Sequence, residues 1–217
     1  MRNLRSKHNR WEDHYSRLAK KEQFLARSVY KLREIQRKYN LIKKGDKILD
    51  LGCFPGSWLL FAANLAGNNG QVVGIDLKPL SKSVLSKVPS NVKTYTGDLL
   101  SIDDELIISV GKDFNIVMSD MAPDTTGNKN VDAARSFNLC QAALRIAEDL
   151  LGDGGSFICK IFQGEDFKEF IDSVKLSFNK HKIFKPQSSR KSSKEIYIVG
   201  FEKNRRRICR DIANGLP

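Results

Sequence analysis

Five short apolar runs, at 47–52, 71–77, 92–98, 114–120 and 156–162, alternate with stretches of helical spacing at 58–66, within 99–110 and at 133–151. Runs this short and this continuously apolar suit strands covered on both faces. Strands that alternate with helices pair in parallel, because each return crossover needs about a dozen residues. A further helix is expected at 165–178, then strands at 181–185 and 195–202. Only residues 186–194 separate that last pair, too few for a helical crossover, so the two are expected to run antiparallel. The pattern predicts a doubly wound, mainly parallel α/β sheet of seven strands whose last strand is reversed. Ahead of it, Leu25, Val29, Leu32, Ile35 and Tyr39 recur at helical spacing over 24–39. Residues 1–21 are polar and read as poorly ordered, apart from Trp11 and Tyr15.

A chain of 217 residues, 41% of them hydrophobic, suits one such domain with a packed core. No apolar run of about 18 residues is present, so no membrane span is expected. The first residues lack the apolar stretch of a secretory signal. None of Cys53, Cys140, Cys159 and Cys209 belongs to a Cys-x-x-Cys pair, so no metal site is expected. Cys53 and Cys159 read as small buried residues of a reducing, cytoplasmic protein.

Charge is unevenly spread. Residues 1–44 hold 14 Lys and Arg against 4 Asp and Glu, residues 45–179 hold 12 against 18, and residues 180–217 hold 11 against 3. The net +12 is therefore carried by the two ends. Basic surfaces attract phosphate backbones through counterion release, although solvated tails would look the same. The expected organisation is a basic extension and helix over 1–44, suited to a phosphate backbone, an α/β domain over 45–203 and a basic tail over 204–217.

Residues 50–58 read Asp-Leu-Gly-Cys-Phe-Pro-Gly-Ser-Trp, a strand that ends in a glycine turn and opens a helix. Gly52 lets the backbone approach a ligand closely, and Asp76, about 20 residues on, stands where a carboxylate can bond ribose hydroxyls. The turn is neither G-x-G-x-x-G nor a P-loop, since Phe54 stands two residues after Gly52 and Ser57-Trp58 follow Gly56. It faces Asp50, Asp76, Asp98 and Asp120, which would repel a pyrophosphate but accept a sulfonium, so S-adenosylmethionine is the expected cofactor. In open α/β sheets ligands bind beyond the carboxyl ends of the strands. Gly52, Asp76, Asp98, Asp120 and Lys160 lie at or near five such ends, and Glu195 opens the reversed strand at the same edge.

These stretches resemble the RrmJ/FtsJ family of ribose 2′-O-methyltransferases over about residues 27–201. The resemblance rests on Arg-Ser-Val-Tyr-Lys-Leu (27–32), the 50–58 turn, Ser-Asp-Met-Ala-Pro (119–123), Gly-Gly-Ser-Phe-Ile-Cys-Lys-Ile-Phe-Gln-Gly-Glu (154–165) and Lys-Pro-Gln-Ser-Ser-Arg-Lys-Ser-Ser-Lys-Glu-Ile-Tyr (185–197). It implies a Rossmann-like class I methyltransferase fold. It also implies a Lys-Asp-Lys-Glu catalytic tetrad at Lys31, Asp120, Lys160 and Glu195, and donor-binding positions at Gly56, Trp58, Asp76, Asp98 and Asp120. The implied substrate is a uridine ribose in large-subunit ribosomal RNA, free or within the large subunit, and the protein would act as a cytoplasmic monomer. Cys53-Phe54 depart from the small residues usual in the family's bacterial members.

A ribose hydroxyl attacks a methyl group only when held in line with the S–C bond and relieved of its proton. Lysine is almost never fully buried without a partner, so Lys160, inside an apolar strand, is expected to accept or orient that proton between Asp120 and Glu195. Lys31, beside Arg27 and Lys38 on a helix face opposite Val29, reads in isolation as solvated, and only the resemblance lifts it to a catalytic role. Ser-Asp-Met-Ala-Pro lacks the Pro-Pro-aromatic of amino-directed methyltransferases, which favours an oxygen target. Trp11 and Tyr15 suit either stacking on single-stranded bases or anchoring a terminal helix. Competing readings are a tRNA anticodon-loop or cap 2′-O-methyltransferase, a non-catalytic RNA-binding assembly factor of the same fold and, more distantly, a dehydrogenase.

Overall fold

The computed structural model describes residues 14–190 and 192–204, so Trp11, Cys209 and the outer parts of both basic ends lie outside the described residues. The element order is α1 (His14–Lys21), α2 (Val29–Tyr39), β1 (Lys47–Leu51), α3 (Ser57–Ala66), β2 (Gln71–Asp76), α4 (Lys82–Leu85), β3 (Val92–Thr96), α5 (Asp104–Val110), β4 (Phe114–Ser119), α6 (Lys129–Leu150), β5 (Leu151–Phe162), α7 (Phe167–Ser177), β6 (Phe178–Phe184) and β7 (Glu195–Lys203). The strands form one sheet in the order β3-β2-β1-β4-β5-β7-β6. The pairs β1–β2, β1–β4, β2–β3 and β4–β5 are parallel, and β7 runs antiparallel to both β5 and β6. The expected seven-stranded sheet with one reversed strand is thus observed.

The helices begin where side chains can satisfy their free amides. Asp103 accepts from Leu106 N ahead of α5, and Asn128 accepts from Asn130 N and Val131 N ahead of α6. The Asn128 cap explains why α6 starts at Lys129, a turn before the expected 133. Two apolar layers flank the sheet. One, around Phe114, Leu144, Phe157 and Phe170, is covered by α5, α6 and α7. The other, around Ile48, Leu59, Met118 and Tyr197, is covered by α2 and α3.

The N-terminal expectation needs correction. Residues 14–21 form α1 rather than a poorly ordered stretch, because Tyr15, Leu18 and Ala19 recur at helical spacing and pack on Phe24, Val29 and Tyr30. The Tyr15 ring lies 5.4 Å from that of Tyr30, in the anchoring arrangement. Strand order reverses between β1 and β4, which opens a crevice above their carboxyl ends.

Candidate active site

A cleft of about 640 Å³ fills that crevice, lined among others by Gly52, Phe54, Asp76, Asp98, Asp120 and Arg135. Its size is in the usual range for a small-molecule site. Gly52 has φ +77°, and a β-carbon there would stand 2.4 Å from Met121 Cγ, so only glycine leaves the floor open. Asp76 is aimed by two main-chain donors, Phe54 N to Oδ2 and Lys78 N to Oδ1, each at 2.9 Å. Asp98 Oδ1 accepts from Leu100 N at 2.9 Å. Both carboxylates keep acceptor capacity toward the cleft. Phe54 stands half-exposed at the rim with the Lys78 ammonium 5.8 Å from its ring centre.

Gly56 and Trp58, expected at the donor, are not among the cleft's lining residues. Gly56 sits in the turn at φ +109°, against Leu25, Leu80 and Val84. The Trp58 side chain is buried, stacked on Tyr197 with ring centres 5.8 Å apart, and its indole N–H donates to Ser28 O at 2.9 Å. Trp58 thus ties the start of α2 to the sheet.

The four residues expected as a tetrad do meet. Lys160 Nζ lies 3.0 Å from Asp120 Oδ1 and also donates to the Asp120 carbonyl. Lys31 Nζ donates to Glu195 Oε2 at 2.7 Å and stands 3.9 Å from Asp120 Oδ1. Strand register produces much of this. Lys160 pairs directly with Tyr197 across β5 and β7, and directly opposed residues share a face. Glu195, two residues from Tyr197, shares that face again. The expectation that Lys31 is solvated in isolation is corrected: Lys31 is 8% exposed and Lys160 5%. Val29 and Lys31 are both buried because α2 lies between the sheet and α1.

Tyr197 escaped the sequence reading. Its hydroxyl donates to Asp120 Oδ1 at 2.5 Å. The signal was the period of two from Glu195. Burial, with Asp120 and Glu195 nearby, pushes the phenol well up, so it remains a donor. Burial also acts to raise the Asp120 carboxyl, but Lys160, Lys31 and the bonds from Tyr197 and Lys160 outweigh it and hold Asp120 below the usual range. Asp120 therefore adds stability above the unfolded carboxyl range and loses it as pH falls through the folded value.

Asp50 behaves in the opposite sense. It is fully buried on β1, and neither oxygen has a hydrogen-bond partner among the described residues. Burial, then Asp120 and Asp76, push its carboxyl well above the usual range. A raised carboxyl costs stability as pH climbs above the unfolded value, because the unfolded chain sheds the proton first. Asp50→Asn is expected to melt higher than the parent chain at pH 8 by a few degrees, the shift that about 1 kcal/mol produces in a chain of this size. The gain should vanish near pH 4; a thermal series with no pH dependence in the difference would refute it.

The cleft fits a sulfonium donor on structural grounds: the carboxylates of Asp76, Asp98 and Asp120 line it, and Gly52 keeps its floor open. Asp120 both lines the cleft and pairs with the two tetrad lysines, so the cleft and the tetrad share a wall.

Comparison with known proteins agrees. The FtsJ-like methyltransferase family matches residues 24–203. A Desulforapulum autotrophicum protein named ribosomal RNA large subunit methyltransferase E is 57% identical over 197 residues, covering 91% of this chain and 95% of the relative. A protein of the same name from Desulfosudis oleivorans is 53% identical over 191 residues, covering 88% and 90%. Among crystal structures, one from Plasmodium falciparum assigned as a ribosomal RNA methyltransferase superposes with a TM-score of 0.70 at 28% identity, over 82% of this chain and 97% of that one. Aeropyrum pernix fibrillarin, with natively bound S-adenosyl-L-methionine, shares the fold at a TM-score of 0.61 and 19% identity, over 80% and 76%.

Proposed function

This chain belongs to the FtsJ-like methyltransferase family, and on that premise we propose that it methylates a ribose 2′-oxygen, that of a uridine, in large-subunit ribosomal RNA. S-adenosylmethionine is the methyl donor. The observation that supports the reading is the shared wall at Asp120, which lines the cleft and has the Lys160 ammonium 3.0 Å from its carboxylate. When bound, the donor supplies a methyl group on a sulfonium that leaves as a neutral thioether. Asp76 and Asp98 would hold the donor through their free acceptor positions, and Gly52 would leave room for it; Gly56 and Trp58 would contribute by shaping the turn and fixing the helix behind it.

As a neutral amine Lys160 would accept the 2′-OH proton, directly or after orienting the hydroxyl, when that oxygen takes the methyl group. Asp120, braced by the Tyr197 hydroxyl, holds Lys160 in place, whereas Glu195, expected to share that task, pairs with Lys31 instead. Lys31, fixed by Glu195, steers the ribose or a neighbouring phosphate. The basic segments 1–44 and 204–217 hold RNA around a catalytic domain of 45–203. The protein acts as a monomer in the cytoplasm, and among the described residues no helix is long and apolar enough to cross a membrane.

The test offers methyl-labelled donor with large subunits, free ribosomal RNA and tRNA from cells lacking this gene, followed by nucleoside analysis. Label in 2′-O-methyluridine of large-subunit RNA is expected. Label only in tRNA would overturn the substrate, and no transfer to any RNA would favour an assembly factor.

A further inference from the structure

Among its described residues the connection between β6 and β7 carries no regular element, yet it must deliver Glu195 to Lys31. It is held at its start by a helix it is remote from in sequence. Glu34, on α2, accepts from Gln187 N at 2.7 Å through Oε2 and from Ser188 N at 2.9 Å through Oε1. Arg27 donates to the carbonyl of the same Ser188. The next residue, Ser189, is buried, and its hydroxyl donates to Glu195 Oε1 at 2.7 Å. Glu195 Oε2 in turn receives Lys31.

We propose that Glu34 is a positioning residue: its carboxylate latches residues 187–188 to α2 so that Ser189 can hold Glu195 against Lys31. Helical spacing makes this economical. Glu34 and Lys31 are three residues apart on one helix and so neighbours on its surface. One rigid helix thereby grips the connection at Gln187–Ser188 and meets its far end at Glu195. The latch needs a carboxylate rather than any polar group, because two main-chain N–H groups point at two acceptor oxygens. A glutamine can satisfy one of them and sets its own NH₂ against the other. Glu34 touches neither the cleft nor Asp120, so the donor should not sense its loss.

This inference rests on the proposed methyl transfer, and its test separates the two. In Glu34→Gln, kcat for RNA methylation should fall by about tenfold to a hundredfold, the usual cost of a displaced catalytic group. Donor affinity, measured by titration calorimetry, should stay within twofold. Ser189→Ala should lower kcat as well, and Glu34→Gln added to it should cost almost nothing more, since both changes break one chain of contacts. Amide hydrogen exchange gives a reading independent of activity: protection at Gln187 and Ser188 should drop in Glu34→Gln while β5 stays protected. Unchanged exchange at those amides overturns the latch even if the wild-type chain transfers no methyl group. Multiplying kcat effects, or a donor affinity that falls in step with kcat, overturns the route through Ser189 and Glu195.

Discussion

Lys160→Ala is expected to lower methyl transfer by a factor of about 10²–10⁴, the range a positioned acid–base group supplies. It should also destabilise the fold, by about 3–5 kcal/mol if Asp120 stays ionised without its nearest cation. The two losses have one origin. Lys160 Nζ, 3.0 Å from Asp120 Oδ1, is the nearer of the two ammonium groups around that carboxylate; Lys31, at 3.9 Å, is already engaged by Glu195. Lys160→Arg separates the effects. Arginine keeps the positive charge opposite Asp120 but cannot accept a proton. Most of the lost stability should return, and transfer should not. Restored transfer in Lys160→Arg would leave Lys160 an orienting role only. Normal turnover in Lys160→Ala would remove it from the catalytic set altogether.

Trp58→Ala is expected to cost about 3–5 kcal/mol in urea or thermal unfolding, as deletion of a buried indole usually does. The ring stacks on Tyr197, whose hydroxyl reaches Asp120, and its N–H holds the Ser28 carbonyl at the start of α2. Losing it should loosen α2 and therefore Lys31, so that surviving activity shows a lower kcat. Trp58→Phe keeps most of the stack and loses one hydrogen bond, about 0.5–1.5 kcal/mol. A Trp58→Ala chain that unfolds like its parent but binds the donor poorly would make Trp58 a donor contact instead of an anchor.

The acidic cleft was readable in the chain. Strand ends announce themselves where an apolar run stops, and a parallel sheet puts all such ends at one edge, so Gly52, Asp76, Asp98 and Asp120 could be placed together from spacing alone. Lys160 was readable for a different reason: a lysine inside an apolar strand demands a partner. Lys31 was not readable from the residues around it. Helical periodicity tells which stripe of α2 is apolar, but a charged residue beside that stripe is solvated or buried according to what the neighbouring elements bring to it.

What the amino-acid sequence determined by itself, then, was the α/β alternation, the reversed last strand and the acidic crevice at the carboxyl edge, because each follows from local hydrophobic period and connection length. Only the tertiary structure decided that α1 folds on Tyr30, that Tyr197 joins Asp120, and that Glu34 grips the β6–β7 connection. The last two join residues far apart in the chain, as does the pair Lys31 and Glu195, 164 positions apart. A buried charge is tolerated only where its counter-charge arrives, and that arrival depends on how α2, β5 and β7 pack rather than on any local pattern.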